Sequence, residues 1–280
     1  MARLSTLILL SAFLLAGGAA ARAQEDAPPA LLFVVTGQSN AGQQGTASQL
    51  GPGQRAPVSG AWYYAPQHTG KAAAVALQPY GGVFGVELSF ARAVREATGR
   101  EVLIAKVYRG GTSIIAWDAN PGTPQWKYDM AQVGHGTTAA YQMYPKVLRT
   151  AVDATASYTA QTGRPVELAG LLYIQVERDS KYMYGATRYE GNLTRLIAAL
   201  RRDWNAPRLP VVVIDSHTNL SGGGPVVHEA VVNVAAAVPG VAWVPVRDLP
   251  KKNAAHFSTP GVLALGERLA ASWLELWRAE

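Results

Sequence analysis

The sequence predicts an α/β fold, with a parallel sheet covered by helices on both faces in an α/β/α three-layer sandwich. Three observations carry the prediction. Apolar, β-rich runs alternate with helical patterns about five times along the chain. The strand candidates are continuous apolar runs, as expected of strands buried on both faces. Hydrophobic residues make up 49% of the 280 positions and charged residues 16%, so the chain can form a large core and is not disordered.

The elements follow in order. LLFVV (31–35) is a short buried strand. VELSFARAVREATG (86–99) carries apolar residues at helical spacing and stops at a glycine, as an amphipathic helix does. VLIAKVY (102–108) is the second strand, and YPKVLRTAVDATASYTAQTG (144–163) is a long helix again closed by glycine. ELAGLLYIQV (167–176) is a strand followed by the helix TRYEGNLTRLIAALRRDW (187–204). PVVVIDS (210–216), GPVVHEAVVNVAAAV (224–238), VAWVPV (241–246) and GVLALGERLAASWLELWRA (261–279) complete the series as strand, helix, strand and closing helix. No repeat of roughly 20–50 residues and no long low-complexity linker interrupts it, so 28–280 reads as a single domain.

Residues 1–23 have the layout of a cleaved secretory signal: Arg3, an apolar core from Leu7 to Leu15, and Ala21-Arg22-Ala23 as the small-x-small cleavage pattern. The core is too short for a spanning helix of roughly 20 residues, and no later candidate follows. The expected location is secreted or periplasmic. The formal charge is +6, and loss of Arg3 and Arg22 leaves about +4, spread along the chain, which does not argue for nucleic acid. With no cysteine, disulfides, zinc–thiolate sites and cysteine nucleophiles are excluded. His68, His135 and His228 show no metal spacing, and His217, after the fourth strand, reads as a pocket-lining residue or, more readily, as a loop or structural histidine.

In an open parallel sheet, ligands bind beyond the carboxyl ends of the strands. After the first strand comes Gly37-Gln38-Ser39-Asn40, where the serine suits either a nucleophile or a helix cap. After the second comes Arg109-Gly110-Gly111-Thr112-Ser113, whose glycine N–H groups suit an oxyanion or a plain turn. Gln175-Val176-Glu177-Arg178-Asp179 follows the third, with Gln175 a candidate oxyanion donor and Glu177 either a buried carboxylate or a solvated one. His256 precedes the last helix and is the natural general base, though a lone loop histidine is as readily structural. One sheet would bring these groups to a single edge, and a Ser…His order is one that triad chemistry tolerates.

GQSN (37–40), GVELSFARAV (85–94), KVYRGGTSIIAW (106–117), LLYIQVERDS (171–180) and HFSTPGVLALGERLA (256–270) together resemble the SGNH-type hydrolases. More narrowly, they resemble the sialate O-acetylesterase and acetylxylan esterase group, carbohydrate esterase family six. The resemblance implies a flavodoxin-like sheet and an esterase acting on O-acetylated carbohydrate without metal or organic cofactor. It implies Ser39 as nucleophile and His256 as base, with an oxyanion hole from Ser39, Gly110 or Gly111, and Gln175. It also implies substrate contacts from Gln38, Asn40, Thr112 and Trp117.

Two positions depart from the family pattern. The aspartate expected three residues before the histidine is Asn253, which can orient an imidazole but cannot stabilise its cation by charge. The third block has Val176 and Arg178 where the family tends to have glycine and serine. In part of the resembled family the glutamate of that block is the triad acid, so the resemblance implies Glu177 in that role, with Asp179, Asp248 and Asn253 as alternatives. The aromatic stretch 117–143, with Trp117, Trp126, Tyr128 and Tyr141, reads as a sugar-stacking wall or as a local mini-core. Two other functions fit the same motifs: a carbohydrate-binding protein without effective catalysis, and an SGNH esterase or lipase acting on other acyl esters.

Overall fold

The structure, a computed structural model, describes residues 28–215 and 222–279; the signal-like segment and His217 lie outside them. The strands are β1 (Ala30–Gly37), β2 (Gly45–Thr46), β3 (Ala61–Tyr64), β4 (Val75–Ala76), β5 (Val83–Phe84), β6 (Val102–Tyr108), β7 (Val166–Ile174), β8 (Val211–Ile214) and β9 (Val241–Val244). Seven of them form one sheet in the order β4-β3-β6-β1-β7-β8-β9, and β2 pairs with β5 in a small second sheet. Every pairing in the large sheet is parallel except β3 with β4 at its edge. All eight residues of central β1 are buried, which is why its sequence is an unbroken apolar run.

The principal helices are α1 (Glu87–Thr98), α2 (Pro124–Gln132), α3 (Met143–Thr162), α4 (Glu177–Lys181), α5 (Tyr189–Asp203), α6 (Gly223–Ala237) and α7 (Thr259–Arg278). α1 and α3 end on Gly99 and Gly163, both left-handed at φ of 67° and 69°, the closures that the two glycines predict. Side chains alternate across β1. Phe33 packs edge-on against Phe90 of α1 and Trp273 of α7, at centroid distances of 4.8 and 4.7 Å. On the opposite face, Thr36 Oγ1 accepts from the Trp117 indole at 3.0 Å, in the short helical turn Ile114–Trp117 that contacts α3 and α5. The result is the expected three-layer sandwich.

The five expected strands and five expected helices are all present. β3 and β4 were not expected. β3 is an edge-side strand of the sequence AWYY, and β4 is only two residues long, so neither is a long apolar run. β7 ends at Ile174, two residues before its apolar run does, because α4 begins at Glu177 and Gln175 and Val176 make the turn.

Candidate active site

Gly37, the last residue of β1, pairs with Tyr108 of β6 on one side and Ile174 of β7 on the other. The three loops that follow these strands therefore leave the sheet at one level. Gly37 has φ 138°, and a Cβ there would lie 2.0 Å from the Ile174 carbonyl oxygen, so only glycine fits. The resulting bend lets Gln38 N–H donate to that carbonyl at 3.0 Å. A short helical turn then starts at Ser39, which is half-buried between the fully buried Gln38 and Asn40.

Ser39 Oγ lies 3.0 Å from Nε2 of His256. The other ring nitrogen, Nδ1, faces Asn253 Oδ1 at 3.2 Å. That same oxygen accepts the backbone N–H groups of Ala255 and His256 at 3.0 and 2.9 Å. Two backbone donors fix which amide atom of Asn253 is oxygen, and an oxygen facing Nδ1 places the ring proton on Nδ1. Nε2 then carries the lone pair, so the Ser39 hydroxyl donates to it. Asn40 ties the serine and histidine loops together: its Nδ2 donates to Ala255 O at 2.8 Å, and its Oδ1 accepts from Phe257 N at 3.4 Å.

The expectation that Glu177 orients His256 is corrected by this geometry. Glu177 is buried, and its two carboxylate oxygens take the side-chain amides of Gln38 and Asn40 in short hydrogen bonds, with Val176 N–H adding a third at 3.3 Å. It clamps the residues on either side of Ser39. The alternative acids are also engaged elsewhere. Asp248 pairs with Arg268 at 2.5 Å, and Asp179 lies beneath the Gly110–Gly111 loop.

Gly110 and Gly111 are exposed beside the serine, and a Cβ on Gly110 would lie 3.7 Å from that of Ser39. The N–H groups of Ser39, Gly110 and Gly111 have no acceptor among the described residues. These are the donors free to meet an oxyanion. Gln175 is not among them. It is fully buried, and its Nε2 donates to Thr112 O at 2.9 Å and to Asp179 Oδ2 at 2.5 Å. Asp179 also accepts from Ser113 Oγ at 2.6 Å and Ile114 N–H at 2.9 Å, and burial raises its pKa to about 6 against the pull of these bonds. Gln175 and Asp179 thus hold the glycine loop from below.

The expected substrate contacts need the same correction. Gln38, Asn40, Thr112 and Trp117 are all buried, and their side-chain donors serve internal acceptors. Trp117 and Trp126 belong to a local core, while Tyr128 is 57% exposed. Burial lowers His68 to a pKa of about 3 and His135 to about 4, and His228 pairs with Asp215 at 2.6 Å. Among the described residues, no group of three or more His, Cys, Asp or Glu side chains could hold a metal ion.

One element of the site had no reading in the sequence. Lys106, on β6, is 1% exposed; its Nζ donates to Glu87 at 2.6 Å and to the Gly42 carbonyl at 2.9 Å. Burial pushes the ammonium pKa down and the Glu87 carboxylate opposes that shift. The pair anchors the end of the Ser39 turn. The available signal was a lysine inside an otherwise apolar strand, since a buried lysine needs a partner.

A parallel α/β/α sandwich with a Ser–His pair at the carboxyl edge of its central strands defines an SGNH-type esterase architecture. A family model described as "Carbohydrate esterase, sialic acid-specific acetylesterase" matches residues 29–275. The chain belongs to that family. It is 31% identical over 109 residues to the probable carbohydrate esterase At4g34215 of Arabidopsis thaliana, a match over 39% of this chain and 41% of that protein. The curated relative is therefore spanned over about two fifths of its length. Three solved structures share the fold. The X-ray structure of the same Arabidopsis protein has a TM-score of 0.67 at 21% identity, covering 89% of this chain and 99% of that one. XAC1771, a carbohydrate acetylesterase from Xanthomonas citri, has a TM-score of 0.62 at 18% identity, over 90% of this chain and 57% of that one. NanS has a TM-score of 0.63 at 14% identity, over 91% and 99%.

Proposed function

We propose that this protein is a serine esterase that removes O-acetyl groups from carbohydrate. The observation that carries the reading is the 3.0 Å contact between Ser39 Oγ and the lone-pair nitrogen of His256. Ser39 attacks the acetyl carbonyl while Nε2 takes its proton, so an Oγ–C bond forms and negative charge moves to the carbonyl oxygen. The N–H groups of Ser39 and of Gly110 or Gly111 meet that oxygen, a stabilisation of roughly 3 kcal/mol per donor. Collapse expels the sugar alkoxide, which recovers the proton from Nε2. Water, with His256 again as base, then releases acetate from acetyl-Ser39.

In this mechanism Asn253 keeps the ring in the useful tautomer through its dipole, without a formal negative charge. The sequence layout of residues 1–23 supports an enzyme that works outside the cytoplasm, secreted or periplasmic. No helix among the described residues is long and apolar enough to cross a membrane. The test is acetate release from O-acetylated sugars by the purified protein. Release by the wild type that disappears in Ser39→Ala supports the reading; release that persists in Ser39→Ala refutes it.

A further inference from the structure

Arg188, at the start of α5, and Asn192, Arg195, Ala199 and Arg202 along it recur at spacings of three and four, so they share one face of the helix. That face runs for about 21 Å by helix rise. Opposite it stand α2 and the loop 118–123 that leads into α2. A cavity of about 240 Å³ lies between these walls, bordered by Asp118 and Asn120 on one side and Asn192, Arg195 and Arg202 on the other. This is the volume of about eight water molecules, room for one sugar ring. Its floor is apolar and closed, since Ile115, Trp117 and Leu196 are buried.

Toward the start of α5 the walls carry an aromatic platform. Tyr128 of α2 is 57% exposed and meets Tyr184, in the helical turn Met183–Ala186, edge-on at 6.3 Å. The Arg188 guanidinium lies 3.7 Å from the Tyr184 ring centroid and covers one of its faces. The Tyr184 hydroxyl donates to Asp129 Oδ1 at 2.5 Å, and the same oxygen accepts from Gln125 Nε2 at 2.8 Å. Tyr184 is thereby held in place, and Tyr128 rests against it. Among the described residues, neither Arg188 nor Arg195 pairs with a carboxylate; Arg195 donates to the side-chain oxygen of Asn192.

A sugar has apolar C–H faces and a rim of hydroxyls. A fixed phenol ring takes a C–H face, and amide, carboxylate and guanidinium groups bond the hydroxyls. The groove supplies both kinds of group along one line. It runs between helices, so it offers a peptide no sheet edge. It also lies apart from the serine. Trp117, in its floor, is bonded to Thr36 on the face of β1 opposite α1 and α7, whereas Lys106 anchors the Ser39 turn to Glu87 of α1.

We propose that the groove between α2 and α5 is a second carbohydrate-binding site, which keeps the enzyme on a polysaccharide whose acetyl groups Ser39 removes. The class of ligand rests on the esterase reading, while the groove itself uses none of the catalytic groups.

The test is affinity electrophoresis of the purified protein through gels containing soluble acetylated xylan or acetylated glucomannan. The wild type and Ser39→Ala should be retarded to the same degree by at least one of the two. Tyr128→Ala at the platform and Arg195→Ala at the cavity change exposed side chains, so both should keep the wild-type melting temperature. Each should raise the apparent Kd roughly tenfold. No retardation of the wild type by either polymer, or retardation unchanged in both groove variants, overturns the inference. Retardation that Ser39→Ala abolishes also overturns it, because binding then belongs to the catalytic centre. Retardation of a wild type that releases no acetate refutes the esterase reading and supports the groove. Elution of the wild type as a dimer that Tyr128→Ala returns to a monomer assigns this face to a second copy of the chain and overturns the inference.

Discussion

The side-chain oxygen of Asn253 lies 3.2 Å from Nδ1 of His256 and also accepts two backbone N–H groups of its own turn. A neutral amide therefore occupies the place of the triad carboxylate. In the proposed mechanism it fixes the tautomer but leaves the imidazolium of the transition state without a charged partner. Asn253→Ala should lower kcat by about 10²-fold, the scale of a misplaced acid–base group. Asn253→Asp should raise kcat and move the acidic limb of the kcat/KM profile to higher pH, because a carboxylate favours the charged ring. A pH–rate profile of the three proteins checks both. An unchanged limb in Asn253→Asp contradicts the assignment.

Glu177 acts on the serine turn. In Glu177→Gln, one of the two side-chain amides that the carboxylate accepts meets an NH₂ group instead of an oxygen. The expected result is a stability loss of about 1–3 kcal/mol, measured by denaturant unfolding, with kcat falling because Ser39 moves. A large loss of activity at unchanged stability would return Glu177 to a direct role in catalysis.

The backbone architecture and the positions of the site blocks were legible in the sequence, and the partnerships of the buried polar groups were not. Ser39, Gly110 and His256 stand out because each follows a strand whose apolar run marks it. Glu177 and Gln175 were legible as polar residues at a strand end, but sequence distance cannot say which donor a buried carboxylate meets. Asn253 read as a defect because the family pattern has an acid there; its geometry depends on an i+2 and i+3 backbone turn that only the folded chain displays. Lys106 does not stand out because a single lysine does not spoil an apolar strand, and its partner Glu87 lies 19 residues earlier.

Breaking the Lys106–Glu87 pair should be costly. Lys106→Met leaves a buried Glu87 carboxylate and the Gly42 carbonyl without their cation, and about 3–5 kcal/mol of stability should be lost. Adding Glu87→Leu should restore part of it, since removing both charges also removes their desolvation cost. Urea unfolding of the single and double variants measures the difference; a double variant no better than Lys106→Met contradicts the pairing.

Asp179 links pH to stability. Its pKa rises from the ordinary 3.8 to about 6 in the folded protein. A raised value means that the fold favours the protonated acid, so this contribution is complete below about pH 4 and is lost as pH rises through about 6, up to about 3 kcal/mol. Asp179→Asn removes that titration. Its melting temperature relative to the wild type should therefore climb between pH 4 and pH 7. A flat or falling difference contradicts the shift.

Activation of Ser39 by His256 is the central step of the proposed chemistry. The direct measurement is mass spectrometry of the protein after reaction with a 4-nitrophenyl alkylphosphonate. One adduct on Ser39, forming as esterase activity is lost and forming much more slowly in His256→Ala, is the predicted result. Ester hydrolysis that continues with Ser39 unlabelled, or an adduct at a different residue, would contradict it.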